Sequence, residues 1–385
     1  MMRNWIILGL ALFALGGCKW LQSPLKENVE PPTELTEFAP SVEVRPLWSH
    51  KVGGDGEGAG LRLRPAFADG RIYASGADEG TVTAIDAASG ATIWTAEIGA
   101  AVASGAGVGD GIVAVGTIDG EVIALDAADG SERWRASGSS EVIAAPAIGD
   151  GVVVVRASDG RIFGFEAADG ARRWVFDRGV PLLSLRGNGT PVIGGGAVFA
   201  GYDNGKVVAL GLADGKLLWE QALAQPEGRT ELDRMVDVDG EIALAGTELY
   251  AASHRGQVGQ LASNSGRQQW VREMSAYAGI AVAGGMVFVA DVDGVVHGLD
   301  AGSGSSTWKQ EGLAHRWLSS PVAIGNHVAV GDLEGYVHWL DASDGKLAAR
   351  VRVGKQAIRA APLAVGNDLY VADTEGTIAA FRVGG

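Results

Sequence analysis

Short runs in which hydrophobic and polar residues alternate recur from Leu61 to the end of the chain, separated by turns that contain glycine. Because successive side chains of a strand point to opposite faces, a period of two predicts β-strands with one face in a core. Many of these strands are joined by a first kind of turn, in which a mostly acidic or polar residue precedes a glycine that can adopt the positive φ of a hairpin. Eight such turns occur, and they end at Gly80, Gly120, Gly160, Gly205, Gly256, Gly294, Gly335 and Gly376.

The spacing of these eight first turns is nearly regular. Their glycines lie 40, 40, 45, 51, 38, 41 and 41 residues apart. A period of about 40 residues with strands throughout is typical of β-propellers, in which each repeat is a blade of four strands. The count therefore indicates eight blades. The alternative count is seven blades and one accidental turn.

A second kind of turn follows the pattern Asp-Ala-x-Asp/Ser-Gly, with Trp four residues after the glycine. Its copies end at Gly90, Gly130, Gly170, Gly215, Gly266, Gly304 and Gly345, and only the last lacks the Trp, having Ala349 instead. We expect each Trp to lie on the outermost strand of a blade and to fill the wedge that opens between neighbouring blades. Gly211-Leu212 and Ala262-Ser263-Asn264 replace the usual Asp-Ala and predict altered turns.

The two ends of the repeat region complement each other. After Gly376 the chain has one more predicted strand, Thr377–Val383, whereas the segment Val44–Val52 at the start contains a strand with the unassigned Trp48. An N-terminal strand that completes the C-terminal blade would remove the open edge of the ring. The fold prediction is therefore all-β: residues 44–385 form an eight-bladed propeller of four-stranded antiparallel blades, closed by the N-terminal strand.

The first 17 residues have the pattern of an export signal. Arg3 precedes an apolar stretch, Trp5 to Leu15, that is too short to span a bilayer. Small residues then lead directly to Cys18, as in a lipoprotein signal peptide, so we expect Cys18 to carry lipid. The alternative is an ordinary signal peptide with an accidental cysteine.

Lys19 follows the predicted lipidated cysteine, which resembles the outer-membrane default among lipoproteins. Residues 18–43 are rich in proline and glutamate and have little periodicity, so they predict a stiff, solvated tether. Lipid would then anchor the N-terminus while the body stays in solution.

Composition and candidate chemistry favour a binding scaffold over an enzyme. The formal net charge of −15 would repel a phosphate backbone and argues against nucleic acid as a partner. Cys18 is the only cysteine, so no disulfide can form within the chain. The six histidines lack metal-ligand spacing, and no nucleophile elbow or phosphate loop occurs. We predict no catalytic residue and no cofactor.

One segment is similar to a calcium-binding loop. Asp237, Asp239 and Gly240 begin it, and Glu248 lies at the twelfth position. However, Ile242 occupies the sixth position, where the sharp turn of such a loop needs glycine. We therefore predict no metal site here.

The two long intervals in the first-turn spacing are consecutive and mark two insertions. The insertions lie between an outer strand and the next inner strand, because the distance from Trp to the next first-turn glycine grows from 26 residues (Trp134–Gly160) to 31 (Trp174–Gly205) and 37 (Trp219–Gly256). Connections of this kind all emerge on one face of a propeller, and these two are neighbours. Loops that extend from a rigid scaffold commonly carry binding residues.

The composition of the insertions suggests a partner surface. The first, around residues 180–187, offers three leucines beside Arg186, and the second, residues 230–239, offers three aspartates. Exposed leucines framed by charge form a typical binding hot spot, and Arg186 has the charge to bridge to Asp237 or Asp239. The alternative is that the leucines pack underneath the loop and the charges are merely solvated.

The repeat Asp-Ala-x-Asp/Ser-Gly-x-x-x-Trp resembles that of the pyrroloquinoline-quinone-like propellers. That group contains quinoprotein dehydrogenases and non-catalytic binding proteins, so the fold leaves both functions open. Members that act as dehydrogenases hold a quinone and calcium over the central axis and commonly have an adjacent cysteine pair, which this chain lacks. A periplasmic quinoprotein dehydrogenase is the alternative function.

Taken together, the lipobox, the proline-rich tether, the eight blades and the segments Leu183–Gly187 and Glu231–Asp239 resemble the family of propeller lipoproteins of the outer-membrane β-barrel assembly machinery. The resemblance covers essentially the whole chain. It implies no enzyme activity and no cofactor. It also implies that the two inserted loops dock on the periplasmic POTRA domains of the barrel-forming subunit BamA, near the third domain. The matching positions are Leu183, Leu185, Arg186, Asp237 and Asp239. Direct binding of unfolded outer-membrane proteins at a strand edge stays open.

Overall fold

The computed structural model describes residues 30–54, 61–179, 189–225, 229, 235–238 and 240–384. The chain divides into two compact units, Met1–Pro31 and Pro32–Gly385. Only residues 30 and 31 of the first unit are described. The described residues of the second unit form 32 β-strands and include no helix.

The strands form eight four-stranded antiparallel sheets, which confirms the predicted blades. The first strand is β1 (Val44–Lys51). Blade 1 contains β2 (Ala66–Ala68), β3 (Arg71–Gly76), β4 (Thr81–Asp86) and β5 (Thr92–Glu97). Blade 2 contains β6 (Gly107–Gly109), β7 (Ile112–Gly116), β8 (Glu121–Asp126) and β9 (Glu132–Ser137). Blade 3 contains β10 (Ala147–Gly149), β11 (Val152–Arg156), β12 (Ile162–Glu166) and β13 (Arg172–Phe176). Blade 4 contains β14 (Val192–Gly194), β15 (Ala197–Gly201), β16 (Lys206–Gly211) and β17 (Leu217–Ala222).

The other four blades repeat this arrangement. Blade 5 contains β18 (Ala243–Ala245), β19 (Glu248–Ala252), β20 (Gln257–Ala262) and β21 (Gln268–Glu273). Blade 6 contains β22 (Ile280–Ala283), β23 (Met286–Ala290), β24 (Val296–Asp300) and β25 (Ser306–Gln310). Blade 7 contains β26 (Val322–Ile324), β27 (His327–Gly331), β28 (Tyr336–Asp341) and β29 (Leu347–Arg352). Blade 8 contains β30 (Leu363–Val365), β31 (Asp368–Ala372), β32 (Thr377–Val383) and, as its outer strand, β1.

The ring closes as the sequence predicts. Strand β1 pairs antiparallel with β32, from Val44 opposite Val383 to Lys51 opposite Thr377. The first and last strands of the propeller therefore share one blade, and no blade is left with an unfinished edge.

The hydrophobic core lies between blades rather than inside them. The second and third strands of a blade are almost fully buried, as in β7 and β8, whereas the outer strand β9 alternates between buried and exposed positions. Eight clusters of buried side chains occur, and each combines residues of two adjacent blades. Each seam between blades is thus one segment of a circular core.

The turns match the prediction with two differences. Seven of the eight first-turn glycines have positive φ, but in blade 5 Arg255 adopts it (φ 49°) and Gly256 does not. The prediction of altered second turns is wrong for the backbone. Gly215 N–H still donates to Gly211 O (2.8 Å) and Gly266 N–H to Ala262 O (2.8 Å), as in the regular copies. Only the hydrogen bonds that the missing Asp carboxylate would accept are lost.

Residues 33–42 lie along blade 7 and are called the strap below. Thr33 N–H donates to Ala314 O (3.1 Å) and Ser41 N–H to Ala348 O (2.9 Å). The guanidinium of Arg350 donates to Thr36 O (3.1 Å) and lies over the Phe38 ring, 5.1 Å from its centroid. The sequence predicts a solvated tether over residues 18–43, whereas this second half packs on the propeller. Residues 18–29, with Cys18, lie outside the described residues.

Candidate partner-binding site

Tryptophans hold the blades together and make the propeller a rigid support. In seven seams the indole N–H of an outer-strand Trp donates to a carbonyl in the second turn of the next blade, at 2.8–3.2 Å. The glycine of that turn lies against the face of the same indole. This confirms the predicted role of Trp in the wedge. The seven pairs of Trp and carbonyl residue are Trp48–Ala87, Trp94–Ala127, Trp134–Ala167, Trp174–Leu212, Trp219–Ser263, Trp270–Ala301 and Trp308–Ala342.

The two insertions lie where the spacing predicts. One connects β13 of blade 3 to β14 of blade 4, and the other connects β17 of blade 4 to β18 of blade 5. Since strand direction alternates within a blade, these connections emerge on the same face as the first turns. We call this side the insertion face. Leu183, Leu185, Arg186 and Asp239 lie outside the described residues.

Asp237 is the one predicted partner-contacting residue that the structure describes. It is only 1% exposed and lies between the buried Val236 and Val238. Backbone hydrogen bonds hold this stretch on both sides: Val238 N–H donates to Tyr202 O (3.1 Å) in blade 4, and His254 N–H donates to Asp237 O (2.9 Å) from blade 5. The end of the second insertion is thus wedged between the first turns of two blades. Asp237 occupies the base of the loop and not its surface.

A buried ion pair joins the two blades that flank the first insertion. Arg156, the last residue of β11, pairs with Asp203 in the first turn of blade 4, and both side chains are buried. The same guanidinium lies 5.6 Å from the centroid of the Tyr202 ring, and Tyr202 O–H donates to Gly160 O (2.9 Å). Burial raises the pKa of Tyr202, so its hydroxyl stays protonated and can donate. Blades 3 and 4 are therefore joined by charge as well as by apolar packing.

Sequence reasoning missed this pair, although a signal for it exists. The other blades end the corresponding strand with glycine or alanine, as in Gly116, Gly201 and Ala252, and only blade 3 ends it with a large cation. An alignment of the eight repeats on their first turns would have singled out Arg156.

The start of the first insertion is also fixed by charge. Arg178 pairs with Glu220 on β17, which in turn pairs with Lys206 Nζ (2.6 Å). Partial burial opposes ionisation of Glu220, but the two cations together lower the pKa of its carboxyl group. The chain that leaves blade 3 is thereby attached to blade 4.

A polar cavity lies beside the base of the second insertion. Its volume is about 760 Å³, and it is bounded by blade 4 on one side and by β20 and β21 on the other. Four of its lining residues are glutamines, and Gln268 Nε2 donates across it to Ala222 O (3.0 Å). Its lining includes Gln221, Gln225, Gln257, Gln268, Val271 and Glu273. The insertion face thus offers a recess of amide groups next to the loop.

Charged side chains meet on the central axis, which is the position that a quinone cofactor would need. Arg64 of blade 1 pairs with Glu241 of blade 5 (3.0 Å), and these blades are opposite each other in the ring, so the pair crosses the axis. Arg62 packs over the ring of Tyr277, 5.5 Å from its centroid, at the same end. Across the part of the chain that the structure describes, no three His, Cys, Asp or Glu side chains cluster as metal ligands.

No helix among the described residues has the length and apolarity to cross a membrane.

An eight-bladed ring with tryptophan-closed seams, built on the Asp-Ala-x-Asp/Ser-Gly-x-x-x-Trp repeat, defines a propeller of the pyrroloquinoline-quinone-like class. Within this class, the family described as outer membrane protein assembly factor BamB matches residues 78–310 and 292–384. The chain belongs to this family.

Individual relatives agree with this assignment. The chain is 55% identical over 260 residues, 67% of each protein, to the outer membrane protein assembly factor BamB of Pseudomonas aeruginosa. Its fold is similar to the crystal structure of BamB from Moraxella catarrhalis, with a TM-score of 0.81 and 27% identity over 88% of this chain and all of the other. It also shares its fold with a quinohemoprotein alcohol dehydrogenase from Comamonas testosteroni, with a TM-score of 0.70 over 88% of this chain and 76% of that chain. At 17% identity, the last likeness concerns the fold alone.

Proposed function

We propose that this chain is a non-catalytic scaffold of the machinery that assembles β-barrel proteins in the outer membrane. Lipid on Cys18 holds it at the periplasmic face of that membrane. Its insertion face binds the POTRA domains of BamA and so supports the insertion of barrel proteins. Membership of the assembly-factor family supports the assembly role. The lipid anchor and the binding of BamA are further parts of the proposal.

The observation that carries the proposed binding site is the position of the two insertions. They interrupt an otherwise regular repeat on the two sides of blade 4, and they share a face. The propeller beneath them is rigid, since Trp174 and Trp219 close the two seams concerned. A rigid base reduces the entropy that a loop loses when it binds a partner.

Each predicted residue has a role in this proposal. Leu183 and Leu185 supply apolar contact area, and Arg186 and Asp239 supply charge that orients the partner. Asp237 is a positioning residue, because its buried backbone stretch fixes the end of the second insertion between blades 4 and 5.

Co-purification of BamA with the full-length protein tests the site. We expect Arg186→Ala and Asp239→Ala each to lower BamA retention at least about tenfold, the effect of losing about 1.4 kcal/mol of binding free energy. Matched controls are Arg172→Ala, an exposed arginine on β13, and Asp119→Ala, an exposed aspartate in the first turn of blade 2. These should retain BamA at the wild-type level. The loop assignment fails if folded Arg186→Ala and Asp239→Ala proteins both retain BamA as the wild type does.

The anchor is tested separately by fractionation. After carbonate washing, which removes proteins held only by protein contacts, Cys18→Ser should leave the membrane fraction, because the lipid chains supply the membrane affinity. If the variant stays in the membrane fraction after carbonate washing, lipid on Cys18 is not the anchor.

The dehydrogenase alternative is tested by adding pyrroloquinoline quinone and calcium to the purified protein. The proposal expects no quinone absorbance to remain after desalting. Stoichiometric retention of the quinone would overturn the non-catalytic assignment.

A further inference from the structure

A second part of the insertion face presents an unusual aromatic side chain. The connection from β25 of blade 6 to β26 of blade 7 contains Trp317, which is 62% exposed. The other eight tryptophans that the structure describes are buried or half-buried. Trp317 lies two blades from the second insertion, a quarter of the ring away, and emerges on the same face.

The backbone of this connection is strained. His315 and Trp317 both have positive φ, 59° and 52°, in a region that bulky L-residues rarely adopt. Such conformations persist only where surrounding contacts impose them, and they concentrate at functional sites. The exposed indole is therefore held in place by its surroundings and does not project from a free loop.

The residue between them is the main fixing point. Arg316 is buried, and its Nε donates to Asp332 Oδ2 (2.8 Å) while its Nη1 donates to Thr33 O of the strap (2.9 Å). It also pairs with Glu334. The buried Leu318 follows Trp317 and packs in the seam between blades 6 and 7. With a buried residue on each side, Trp317 has to point outward.

Neighbouring first turns extend the apolar surface. His315 N–H donates to Asp293 O (2.7 Å), and Leu333 N–H donates to Arg316 O (3.1 Å). These bonds bring the first turns of blades 6 and 7 against the connection, and they place Val292, 39% exposed, and the half-buried Leu333 on the same side as Trp317. We call Trp317, Val292 and Leu333 the aromatic patch.

The charge around the aromatic patch has one predominant sign. The three segments that form it, residues 291–293, 309–317 and 332–334, contain five carboxylates and two cationic side chains. Asp332 and Arg316 are buried, so four exposed or half-buried carboxylates and one exposed cation remain at the surface. Both cations already pair with carboxylates, Lys309 with Glu311 and Arg316 with Asp332 and Glu334. The surface therefore combines an apolar centre with an acidic rim.

We propose that the aromatic patch binds a polypeptide segment whose apolar side chains are flanked by lysine or arginine. A rigid, exposed tryptophan provides a large contact area at low entropic cost, which is why this residue is enriched at binding hot spots. The acidic rim would attract flanking cations and repel acidic segments and anionic membranes. The patch is a surface separate from the inserted loops, so its test does not depend on BamA.

Fluorescence anisotropy with labelled heptapeptides tests this proposal. The probe is Lys-Lys-Leu-Phe-Leu-Lys-Lys, compared with Glu-Glu-Leu-Phe-Leu-Glu-Glu and Lys-Lys-Ser-Asn-Ser-Lys-Lys. We expect the full-length wild-type protein to bind the first peptide at least about tenfold more tightly than either of the others. Trp317→Ala should weaken that binding at least about tenfold. The matched control Leu218→Ala removes another exposed apolar side chain, 58% exposed on β17, and should leave it unchanged.

A second variant separates binding from folding. Trp317→Gly removes the indole but suits the positive φ, so the backbone of the connection is retained. It should bind the first peptide as weakly as Trp317→Ala while unfolding at no lower temperature than the wild type.

Three results would overturn the proposal. The first is equal affinity of the wild type and both Trp317 variants for the basic apolar peptide. The second is absence of binding, or equal binding of the acidic peptide, by the wild type. The third is Trp317-dependent flotation with phosphatidylethanolamine–phosphatidylglycerol vesicles in place of peptide binding, which would assign the patch to a lipid surface.

Discussion

Trp339 on β28 lies directly opposite Ala349 on β29, and this pair reverses the arrangement found in the other blades. There, the outer strand carries the Trp and the third strand usually carries alanine or glycine opposite it, as with Ala124 and Trp134. Trp339 is fully buried and meets the edge of Phe381 in blade 8, with 6.0 Å between ring centroids. In this one seam, an indole from the neighbouring strand fills the space that the missing Trp leaves.

The reversal has a structural reason. Blade 8 has no turn between its third and outer strands, because its outer strand is β1, which precedes blade 1 in the chain. A Trp at position 349 would therefore have no turn carbonyl to accept its N–H. The strap reaches this region instead, since Ser41 N–H donates to Ala348 O (2.9 Å).

We expect the pair to behave as a coupled unit. Trp339→Ala should lower the free energy of unfolding by about 3–5 kcal/mol through loss of a buried indole. Ala349→Trp should lower it by about 1–3 kcal/mol through overpacking. The double variant, which restores the usual arrangement, should be less destabilised than the sum of the single variants. Urea unfolding at one temperature measures all three variants. If the free-energy changes of the single variants add up to that of the double variant, the two side chains do not fill the same space.

The contact of glycine with tryptophan predicts a difference between two similar glycines. Gly130 (φ 77°) and Gly151 (φ 76°) have the same backbone conformation, but a Cβ on Gly130 would lie 2.6 Å from the Trp94 ring, whereas a Cβ on Gly151 would meet nothing within 4 Å. Gly151→Ala should cost about 1–2 kcal/mol of stability from backbone strain alone. Gly130→Ala should cost clearly more, because the indole must move as well. Thermal unfolding compares the two variants. Equal melting temperatures would show that the Trp94 ring can move away from the added methyl group at little cost.

The features that the sequence predicted correctly all have a local signature. The first turns mark the blade boundaries, Trp48 marks the closing strand, and the excess length before Gly205 and Gly256 marks the insertions. Each of these depends on residue type and on spacing along the chain. Residue spacing of this kind survives small changes in how the blades pack, so the count of eight blades could be read from it.

The features that could not be predicted from the sequence depend on contacts between distant residues. Arg156 and Asp203 are 47 residues apart, and although Arg156 is unusual at its strand position, nothing in the sequence indicates Asp203 as its partner. The proline- and glutamate-rich composition of residues 18–43 suggested solvent exposure. However, Arg316, in the connection before blade 7, and Arg350, on β29, donate hydrogen bonds to backbone carbonyls of this segment. The exposure of Trp317 likewise depends on the burial of its two neighbours.

The buried ion pair between blades 3 and 4 predicts unequal effects of two arginine substitutions. Arg156→Ala would leave Asp203 buried without its charge partner and should cost about 3–5 kcal/mol. Arg133→Ala removes an arginine that pairs with Asp126 at the surface (2.7 Å) and should change stability little, because water screens exposed pairs. Urea unfolding of both variants checks this. Equal effects would mean that the buried pair contributes no more than a surface pair.

Rescue distinguishes the charge from the packing of Arg156. The double variant Arg156→Met/Asp203→Leu replaces both charges with apolar groups and should recover much of the stability lost in Arg156→Ala. If the double variant is as unstable as the single one, the shape of the guanidinium, stacked on Tyr202, is what the seam requires.

The hydrogen bonds of His338 predict that stability falls in mild acid. Its Nε2–H donates to Asp332 Oδ2 (2.9 Å), and its Nδ1 accepts from Arg350 Nε (3.2 Å), so the imidazole is neutral. Burial lowers the pKa of His338 below its ordinary value of 6.5. As the pH falls, His338 therefore takes up a proton in the unfolded chain before it does so in the folded protein. The free energy of unfolding should decrease from about pH 6.5 downward, and this group contributes at most about 1.4 kcal/mol per pH unit.

Other groups act in the same direction or in a different range. Burial also lowers the pKa of His254, so part of the acid sensitivity should remain without His338. Burial opposes ionisation of Asp332, but the hydrogen bond from His338 lowers its pKa below the ordinary value of 3.8, and its contribution is lost only in stronger acid.

Urea unfolding at pH 7, 6 and 5 tests this pH dependence. The wild type should lose stability over that range, and His338→Gln should lose less per pH unit while starting lower at pH 7. His327→Gln, on the neighbouring strand β27, is the control and should follow the wild-type slope. Protonated His338 can no longer accept from Arg350, the residue that also binds Thr36 O, so proteolysis within the strap should accelerate at pH 5 in the wild type. Identical slopes for the wild type and His338→Gln would assign the acid sensitivity to other groups.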